Sequence, residues 1–307
     1  MKSLILCLVM ITLILTACVS SPAQSTATVF TPVVAPTEIP TNTPIPTDTI
    51  TPTLVFTPTI TTTSTPGIGS SLTSPLDGMV MVYVPAGSFL MGFSGGYPDE
   101  QPEHTVALDA FWIDKTEITN GAYEMCVKAG VCKAPSRRTS NGIDAYYGNA
   151  QYVIYPVIFV SWMDAQSYCN WAGLRLPTEA EWEKAARGID GRLYPWGNTP
   201  PDKSLANFDH NIWDVTQVGS YPAGASPYGA LDMAGNIWEW TADWYGSGYY
   251  SQSPAQNPTG PDTGTKRVLR GGSWNFDAPG TRTSYRFSKD PAFVYSDIGF
   301  RCVLPAK

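Results

Sequence analysis

Residues 228–245 read Tyr-Gly-Ala-Leu-Asp-Met-Ala-Gly-Asn-Ile-Trp-Glu-Trp-Thr-Ala-Asp-Trp-Tyr, a run that brings together three tryptophans, two tyrosines and three acids. Trp238, Trp240 and Trp244 recur at even spacing, which is the period of an extended strand. The pattern therefore predicts a strand with one buried face, preceded by a turn at Ala234-Gly235-Asn236.

Two acids flank this turn, Asp232 before it and Glu239 after it. Carboxylates on either side of a glycine turn, with free backbone carbonyls between them, are the hard oxygen ligands that Ca²⁺ prefers. The alternative is that Asp232 caps the turn and Glu239 is a solvated strand residue. The residues alone favour this alternative, because calcium spacings outside the helix–loop–helix type are weakly specific.

The start of the chain is typical of an exported protein. A basic residue, Lys2, precedes a short apolar run from Leu4 to Leu15. The run is too short for a membrane span, which needs about 20 apolar residues. Leu15-Thr16-Ala17-Cys18 resembles the lipobox of bacterial lipoproteins, which predicts a signal peptide over 1–17 and a lipid on Cys18. The alternative is an ordinary signal peptide with a chance cysteine. The anchor would hold the mature protein at the cell membrane, facing outward.

Residues 18–75 are predicted to form a disordered stalk. They consist almost wholly of Thr, Pro, Ser, Ala and Val, with charges only at Glu38 and Asp48. Proline removes helix donors and favours an extended backbone, and the scarcity of large apolar groups leaves too little burial to offset chain entropy. The proline density argues against the alternative of several short strands.

Residues 76–307 are predicted to form one α+β domain with long loops and low regular secondary structure. The net charge of −7 gives no basic surface for nucleic acid, and a nucleic-acid partner is not expected. N-cap residues at Thr119, Ser161 and Thr178 mark three helix starts. The predicted strands are 79–84, 88–92 and 106–113, and the predicted helices are 120–128, 162–172 and 179–187.

A series of ordered motifs resembles the formylglycine-generating enzyme family, also called the sulfatase-modifying factor family. They are Met81-Val-Tyr-Val-Pro-Ala-Gly-Ser-Phe-Leu-Met-Gly92, Thr116-Glu-Ile-Thr-Asn120, Pro156-Val-Ile-Phe-Val-Ser-Trp162, Leu174-Arg-Leu-Pro-Thr-Glu-Ala-Glu-Trp-Glu183, Tyr194-Pro-Trp-Gly-Asn198, residues 229–244, Arg270-Gly-Gly-Ser-Trp274 and Ile298-Gly-Phe-Arg-Cys302. The resemblance covers the whole domain. It implies the family's fold, a single compact domain that is a variant of the C-type lectin fold.

The chain contains six cysteines, of which Cys7 lies in the predicted signal peptide and Cys18 is the predicted lipid site. An even number remaining in an exported domain predicts two disulfides, with three possible pairings. Cys126 and Cys132 lie close enough in sequence to close a small loop. The resemblance implies the second bridge, because the positions of Cys169 and Cys302 are disulfide-bonded in the family's eukaryotic members. Four free thiols or a zinc site are the less favoured alternatives.

The oxidase chemistry of the family is not supported by the residues present. Formylglycine-forming members hold copper with two cysteines shortly after the Gly-Gly-Ser motif, since soft thiolates suit Cu(I). Those positions fall near Phe276 and near Gly280 or Thr281, so copper is not expected here. The related iron-dependent sulfoxide synthases need three histidines from an additional domain, whereas this chain has only His104 and His210.

The segment after the Gly-Gly-Ser motif still predicts a ligand groove, because this region lines the substrate groove of active relatives. The groove residues predicted here are Ser273, Trp274, Asp277, Arg282 and Arg286. Arginines among aromatic residues are suited to an extracellular protein, an acidic ligand, a peptide or a glycan. The alternative is that the arginines pair internally with Asp and Glu, and the sequence gives both equal weight.

The resemblance also changes the interpretation of the Asp232 turn. Family members hold a structural calcium at positions that match Asp232, Gly235, Ile237 and Glu239, so Ca²⁺ is favoured here. A second family site begins at positions that match Asn207 and Phe208. Its remaining ligands lie in a loop that is shorter in this chain, where Asp209 and Asp214 are candidates.

Two functional hypotheses follow. The first is a membrane-anchored module, non-catalytic or repurposed, that binds a ligand or partner outside the cell. The second is an oxidase that converts a sulfatase cysteine to formylglycine. The missing cysteine pair separates them and favours the first. A weaker third possibility is a spacer or sensor at the cell wall.

Overall fold

The computed structural model describes residues 65–306, so the predicted signal peptide, Cys18 and most of the predicted stalk lie outside the described residues. The strands are β1 (Ser71–Thr73), β2 (Val80–Val84), β3 (Gly87–Met91), β4 (His104–Leu108), β5 (Phe111–Asp114), β6 (Trp238–Trp244), β7 (Arg267–Arg270), β8 (Phe287–Lys289), β9 (Ile298–Gly299) and β10 (Val303–Pro305). The α-helices are α1 (Asn120–Lys128), α2 (Trp162–Trp171) and α3 (Glu179–Arg187). No helix in this part of the chain is long and apolar enough to cross a membrane.

The first sheet joins the two ends of the domain. Its four strands run in the order β1-β2-β5-β10, and all neighbours are antiparallel. Strand β1 pairs Ser71 with Val82 and Thr73 with Val80. The folded part therefore begins before residue 76, the predicted domain boundary.

Strands β3 and β4 form a separate hairpin, with Gly87 opposite Leu108 and Met91 opposite His104. The sequence predicted one strand over 106–113, and this was wrong. The segment divides at Asp109-Ala110, because β4 pairs with β3 whereas β5 pairs with β2 in the first sheet.

The second sheet has the order β8-β7-β6-β9, which places the tryptophan strand β6 between two partners. Strand β6 is antiparallel to β7 and parallel to β9. The prediction of a strand here is confirmed, but that of a single buried face is wrong. Glu239, Thr241 and Asp243, on the face opposite the tryptophans, are also buried. This second face packs against charged side chains of the domain interior, which are described below.

The three helices begin where the cap residues predicted. The side chains of Thr119, Ser161 and Thr178 each accept a backbone N–H three residues later, and the last two form complete capping boxes. Helix α3 is unusual, because every one of its nine residues is buried although five of them carry charge. Such a helix must find partners for its charges inside the protein.

Aromatic side chains and both disulfides build the larger core cluster. The rings of Tyr123, Tyr168 and Phe300 pack together, with centroids 5.4–6.3 Å apart. Cys126 is bonded to Cys132 just beyond α1, and Cys169 of α2 is bonded to Cys302 before β10. Both predicted pairings are confirmed, and the second bridge ties the central helix to the C-terminal end of the domain.

Candidate binding cleft and buried charged clusters

Buried arginines and glutamates surround α3 and form what is here called the α3 cluster. Its members are Glu179, Glu183, Arg187, Arg270 and Arg286. Arg286 Nε and Nη2 lie 2.7 and 2.8 Å from the two oxygens of Glu179. Arg270 Nη2 lies 2.5 Å from Glu183 Oε2, and Arg187 Nη1 lies 2.8 Å from Glu183 Oε1. Burial alone would raise the pKa of Glu179, but Arg286 and Arg270 hold it below its ordinary value.

The α3 cluster decides between the two interpretations of Arg286. Its side chain is buried, and both carboxylate oxygens of Glu179 accept its hydrogen bonds. The contacts therefore support internal pairing for this arginine. Only part of its surface reaches a cleft.

Arg282 occupies an intermediate position. Its Nη2 lies 2.6 Å from Glu100 Oε1, so it also has an internal partner. Its guanidinium carbon lies 5.7–5.8 Å from the ring centroids of Phe93, Tyr97 and Tyr285, within the range of cation–π contact. Arg282 therefore helps to fix an aromatic surface.

That surface borders an open depression, here called the tyrosine cleft, with a volume of about 480 Å³. Its walls include Tyr97, Asp99, Tyr245 and Tyr285, and Arg286 contributes to the lining. Tyr97 and Tyr285 meet edge to face at 5.6 Å, and the Tyr245 hydroxyl donates to Asp99 Oδ2 at 2.8 Å. Burial and the neighbouring Asp99 raise the pKa of Tyr245 to about 12, so the hydroxyl stays protonated at neutral pH.

The other predicted groove residues lie outside this cleft. Ser273 is fully buried, and its hydroxyl donates to Asp297 Oδ2 at 2.7 Å. Burial raises the pKa of Asp297 to about 6. Trp274 is buried, whereas Asp277 is exposed. The groove predicted from the motif is therefore not a single surface.

Aromatic packing fills the region where the family's copper ligands would stand. The Phe276 ring lies edge-on to Trp238 at 4.8 Å and to Phe287 at 5.5 Å. Gly280 lies directly against this ring, since a Cβ there would stand 3.2 Å from it. Thr281 is buried, and its hydroxyl donates to the Ala278 carbonyl at 2.8 Å. None of these side chains is a ligand for Cu(I).

Glu239 of the tryptophan strand belongs to a second buried group, here called the acid cluster. Its members are Asp114, Glu117, Asp232, Glu239 and Arg301. Arg301 donates to both oxygens of Glu239, at 2.6 and 2.7 Å, and Trp182 Nε1 donates to one of them at 2.8 Å. Glu239 is fully buried. The interpretation of Glu239 as a solvated residue is wrong, and its oxygens are already in use.

Asp232 and Glu117 have fewer partners. Asp232 Oδ2 accepts the Gly219 N–H at 2.6 Å, and Glu117 Oε1 accepts the side-chain amide of Asn236 at 2.8 Å. Glu117 Oε2 is buried without a hydrogen-bond partner among the described residues. Burial raises the pKa of both carboxyls. The neighbouring charge of Asp232 raises the pKa of Glu117 further. Two neighbouring buried acids with one uncompensated oxygen can be stabilised by protons or by a cation.

The two predicted calcium positions lie side by side. Gly235 has φ +77°, and a Cβ there would stand 2.3 Å from the Asn207 carbonyl oxygen, so the turn packs directly on Asn207. The Asn207 Oδ1 atom is buried without a partner in residues 65–306. Ile237 and Phe208 have buried side chains, which leaves only their backbone carbonyls as possible ligands.

The two extra candidates differ. Asp214 accepts hydrogen bonds from the Ser140 hydroxyl at 2.6 Å and from the Gly142 and Val215 N–H groups at 2.8 Å, so it fixes a loop. Asp209 is exposed.

The residues fit a hard cation in part. Glu117, which neighbours Asp232, and Asn207, whose backbone packs on Gly235 of the turn, each have an oxygen without a partner among the described residues, and such oxygens are the donors that Ca²⁺ prefers. Glu239 does not fit, because Arg301 and Trp182 occupy its oxygens. No group of three or more His, Cys, Asp or Glu in the described part of the chain is arranged to hold a metal ion.

Some site residues were not predicted from the sequence. Glu117 belongs to the motif Thr116–Asn120, where a charged residue next to the apolar Ile118 would ordinarily be expected to face solvent. Both residues are buried, and nothing in the local sequence indicated this. Tyr97 and Asp99 lie between β3 and β4, outside every element and motif predicted from the sequence. Their role depends on Tyr285, which is almost two hundred residues away in sequence, so no local pattern could reveal it.

A family comparison defines the class of this protein. Residues 70–306 match the model of the sulfatase-modifying factor enzyme 1-like domain, and the chain belongs to that family. The fold is the one shared by proteins related to the formylglycine-generating enzyme.

Relatives with similar identity to this chain carry different names. The chain is 38% identical over 249 residues to a protein named serine/threonine-protein kinase pkn1 from Chlamydia caviae, covering 74% of this chain and 38% of that protein. This chain thus spans well under half the length of that relative. It is 36% identical to the formylglycine-generating enzyme of Streptomyces coelicolor, covering 72% of this chain and 88% of the enzyme.

Solved structures give the same fold. PvdO from Pseudomonas aeruginosa superposes with a TM-score of 0.67 at 27% identity, covering 78% of this chain and 99% of PvdO. Treponema denticola variable protein 1 superposes with a TM-score of 0.65 at 26% identity, covering 77% and 99%. Relatives with such different names share the fold, so function must be argued from the site.

Proposed function

We propose that this protein is an extracytoplasmic binding module that uses the tyrosine cleft, and that it lacks the oxidase activity of the formylglycine-generating relatives. The observation that carries the proposal is the packing of Phe276 on Trp238 and Phe287 where the copper thiolates would stand. Apolar rings supply no electron-transfer ligand and no nucleophile. The domain therefore keeps the family's scaffold with a different surface.

The tyrosine cleft supports a binding role through its chemistry. Tyrosines offer wide, rigid contact area with a polar edge, at low conformational cost. Tyr245 is held by Asp99 and Tyr97 stands edge-on to Tyr285, so the walls are preorganised. Asp99 adds a carboxylate to the cleft, whereas the charge of Arg286 is balanced by Glu179. An extended peptide segment of a protein partner, with alternating rings, amides and charges, suits such a surface better than a small apolar molecule.

We propose further that Ca²⁺ stabilises the turn at Asp232. The support comes from the partnerless oxygens of Glu117 and Asn207 and from the raised carboxyl pKa values of Glu117 and Asp232. When bound, the ion would supply positive charge to Glu117 and Asp232, whose cationic neighbour within residues 65–306 is Arg301. This role is structural, and no step of a reaction depends on it.

The location is also a proposal. The lipobox-like sequence before Cys18 supports a lipid anchor in the cell membrane, and the Thr/Pro-rich segment that follows would hold the domain away from the surface. Mass spectrometry of the N-terminal peptide would test it. A diacylglycerol-modified Cys18 is the expected result, and an unmodified residue at that position would overturn the anchor.

A selection experiment tests the cleft. A random peptide library would be panned against the full chain, and the enriched peptides would be measured against Y97A/Y285A. Loss of at least tenfold in affinity is expected. The matched control is Y295A, because Tyr295 is half exposed and lies outside the cleft. Equal binding by both variants and the wild type would place the binding surface elsewhere.

The alternative is a formylglycine-generating oxidase, favoured by the 36% identity to the Streptomyces coelicolor enzyme. The protein would be incubated with copper, oxygen, a reductant and a sulfatase-motif peptide, and the peptide cysteine would be followed by mass spectrometry. Unchanged cysteine is expected. Conversion to formylglycine above a metal-free control would overturn the binding-only proposal.

A further inference from the structure

A second cavity of about 580 Å³ lies beside α2 and shares no lining residue with the tyrosine cleft. It is here called the α2 pocket. Its volume is in the range of small-molecule sites, which is roughly 300–1,000 Å³. Helix α2 contributes Trp162, Gln166 and Asn170, which are four residues apart and therefore lie on one face of the helix.

The floor of the α2 pocket is apolar and rigid. Trp162, Phe111 and Leu176 form much of it, and all three are buried. The Trp162 indole N–H donates to the Thr241 carbonyl at 2.7 Å, and the guanidinium of Arg267 lies 3.7 Å from the Trp162 ring centroid. These contacts fix the ring before any ligand arrives, which lowers the entropic cost of binding.

The rim of the pocket is polar, and much of it is amide and hydroxyl. Gln166, Asn170, Asn257 and Thr259 are exposed around the floor. Each side-chain amide offers both a donor and an acceptor, and a threonine hydroxyl does the same. Such a rim matches a ligand that itself carries many groups able to donate and accept.

Charge at the pocket narrows the ligand class. Arg175 is partly exposed, but Glu181 accepts two of its hydrogen bonds, of 2.6 and 2.7 Å, so its charge is balanced by a partner of the protein itself. Asp109 remains as an exposed carboxylate whose orientation is fixed by reciprocal 3.0 Å bonds with Asn257. The net negative lining disfavours anions, and a fixed carboxylate beside amides is a good acceptor for hydroxyl groups.

We propose that the α2 pocket binds a neutral saccharide. Its C–H face would lie on the Trp162 floor, and its hydroxyls would bond to Gln166, Asn170 and the Asp109–Asn257 pair. This site is separate from the tyrosine cleft, so the inference does not depend on the proposed peptide binding. A neutral sugar satisfies the apolar floor and the mixed donor–acceptor rim at the same time.

Matched sugars provide the test. The full chain, in a detergent without a sugar headgroup, would be titrated by calorimetry and by tryptophan fluorescence with lactose, cellobiose, maltose and N,N′-diacetylchitobiose. Sialyllactose, which extends lactose by one carboxylate-bearing sugar residue, is the anionic counterpart. At least one neutral sugar is expected to bind, and Q166A/N170A is expected to weaken it at least tenfold.

Two controls keep the result interpretable. Gln166 and Asn170 are exposed in the wild type, so Q166A/N170A is expected to leave the thermal unfolding midpoint unchanged, and this measurement would show that the variant is folded. Q151A, at an exposed glutamine outside the pocket, should bind like the wild type. Absence of binding by every neutral sugar at 10 mM (a generous limit, about −2.7 kcal/mol), preference for sialyllactose, or binding that survives Q166A/N170A would each overturn the proposal.

Discussion

The α3 cluster and the acid cluster are both buried, but the first has more arginines than carboxylates and the second has more carboxylates than arginines. The α3 cluster joins three arginines to Glu179 and Glu183. The acid cluster gives four carboxyls a single arginine, Arg301. The pKa of Glu179 is held low, whereas the pKa values of Asp114, Glu117 and Asp232 are raised.

This difference shows how the same fold handles buried charge in two ways. Where arginines equal or outnumber carboxylates, desolvation is offset inside the protein and the charged form is kept. Where carboxylates outnumber arginines, burial favours neutral acids, and the imbalance is relieved by protons or by a cation. The α3 cluster is therefore expected to be independent of metal, and the acid cluster is expected to depend on it.

The largest expected effect is on the α3 cluster. R270M would leave Glu179 and Glu183 short of a buried partner, and breaking a buried pair from one side costs about 3–5 kcal/mol. Urea unfolding would measure the loss. The matched control is R192M, because Arg192 pairs with the exposed Asp190 and a surface pair is worth about 0–1 kcal/mol. A loss below about 1 kcal/mol for R270M would show that the cluster contributes little.

The next effect tests the acid cluster. Addition of Ca²⁺ at 100 times its Kd should raise the free energy of unfolding by about 2.7 kcal/mol. E117Q and D232N each remove a carboxylate and should abolish most of this gain. D262N, at an exposed acid, should respond like the wild type. R270M should keep the calcium gain, since the α3 cluster needs no cation. Equal stability with Ca²⁺ and with a chelator would refute the proposed ion.

Asp297, like the carboxyls of the acid cluster, is a buried acid whose pKa is raised by burial. It is buried, its neighbour Ser273 is neutral, and its pKa is raised to about 6 by burial. An acid with a raised folded pKa destabilises the fold when it ionises, so the penalty is small below pH 4, grows as the pH rises, and is complete only once the pH has passed the folded pKa of about 6. D297N should therefore gain up to about 3 kcal/mol over the wild type at pH 7.5 and almost nothing at pH 4. A gain that does not vary with pH would point to packing instead.

Sequence reasoning predicted the local structure and, through the family resemblance, the Cys169–Cys302 bridge, but it missed the distant partners of the buried charges. Caps such as Thr178 act within one helical turn, so the helix starts could be predicted. Glu239 and Arg286 were located by motif, but their partners Arg301 and Glu179 lie 62 and 107 residues away. Burial of a charge depends on such distant pairs. The same limit explains why no sequence pattern connected Tyr97 with Tyr285, which form one cleft.

The smallest effect concerns Arg282, which stands between the two cases. It pairs with the buried Glu100, but Glu100 also accepts the Tyr97 N–H at 2.9 Å and the Ser284 hydroxyl at 2.6 Å. Because these donors remain, R282M should cost only about 1–2 kcal/mol, less than R270M. The same variant also removes the cation that faces Tyr97 and Tyr285, so peptide affinity at the tyrosine cleft should fall more than stability does. If R282M and R270M lower the free energy of unfolding equally, the number of remaining donors does not control the energetics of buried carboxylates in this domain.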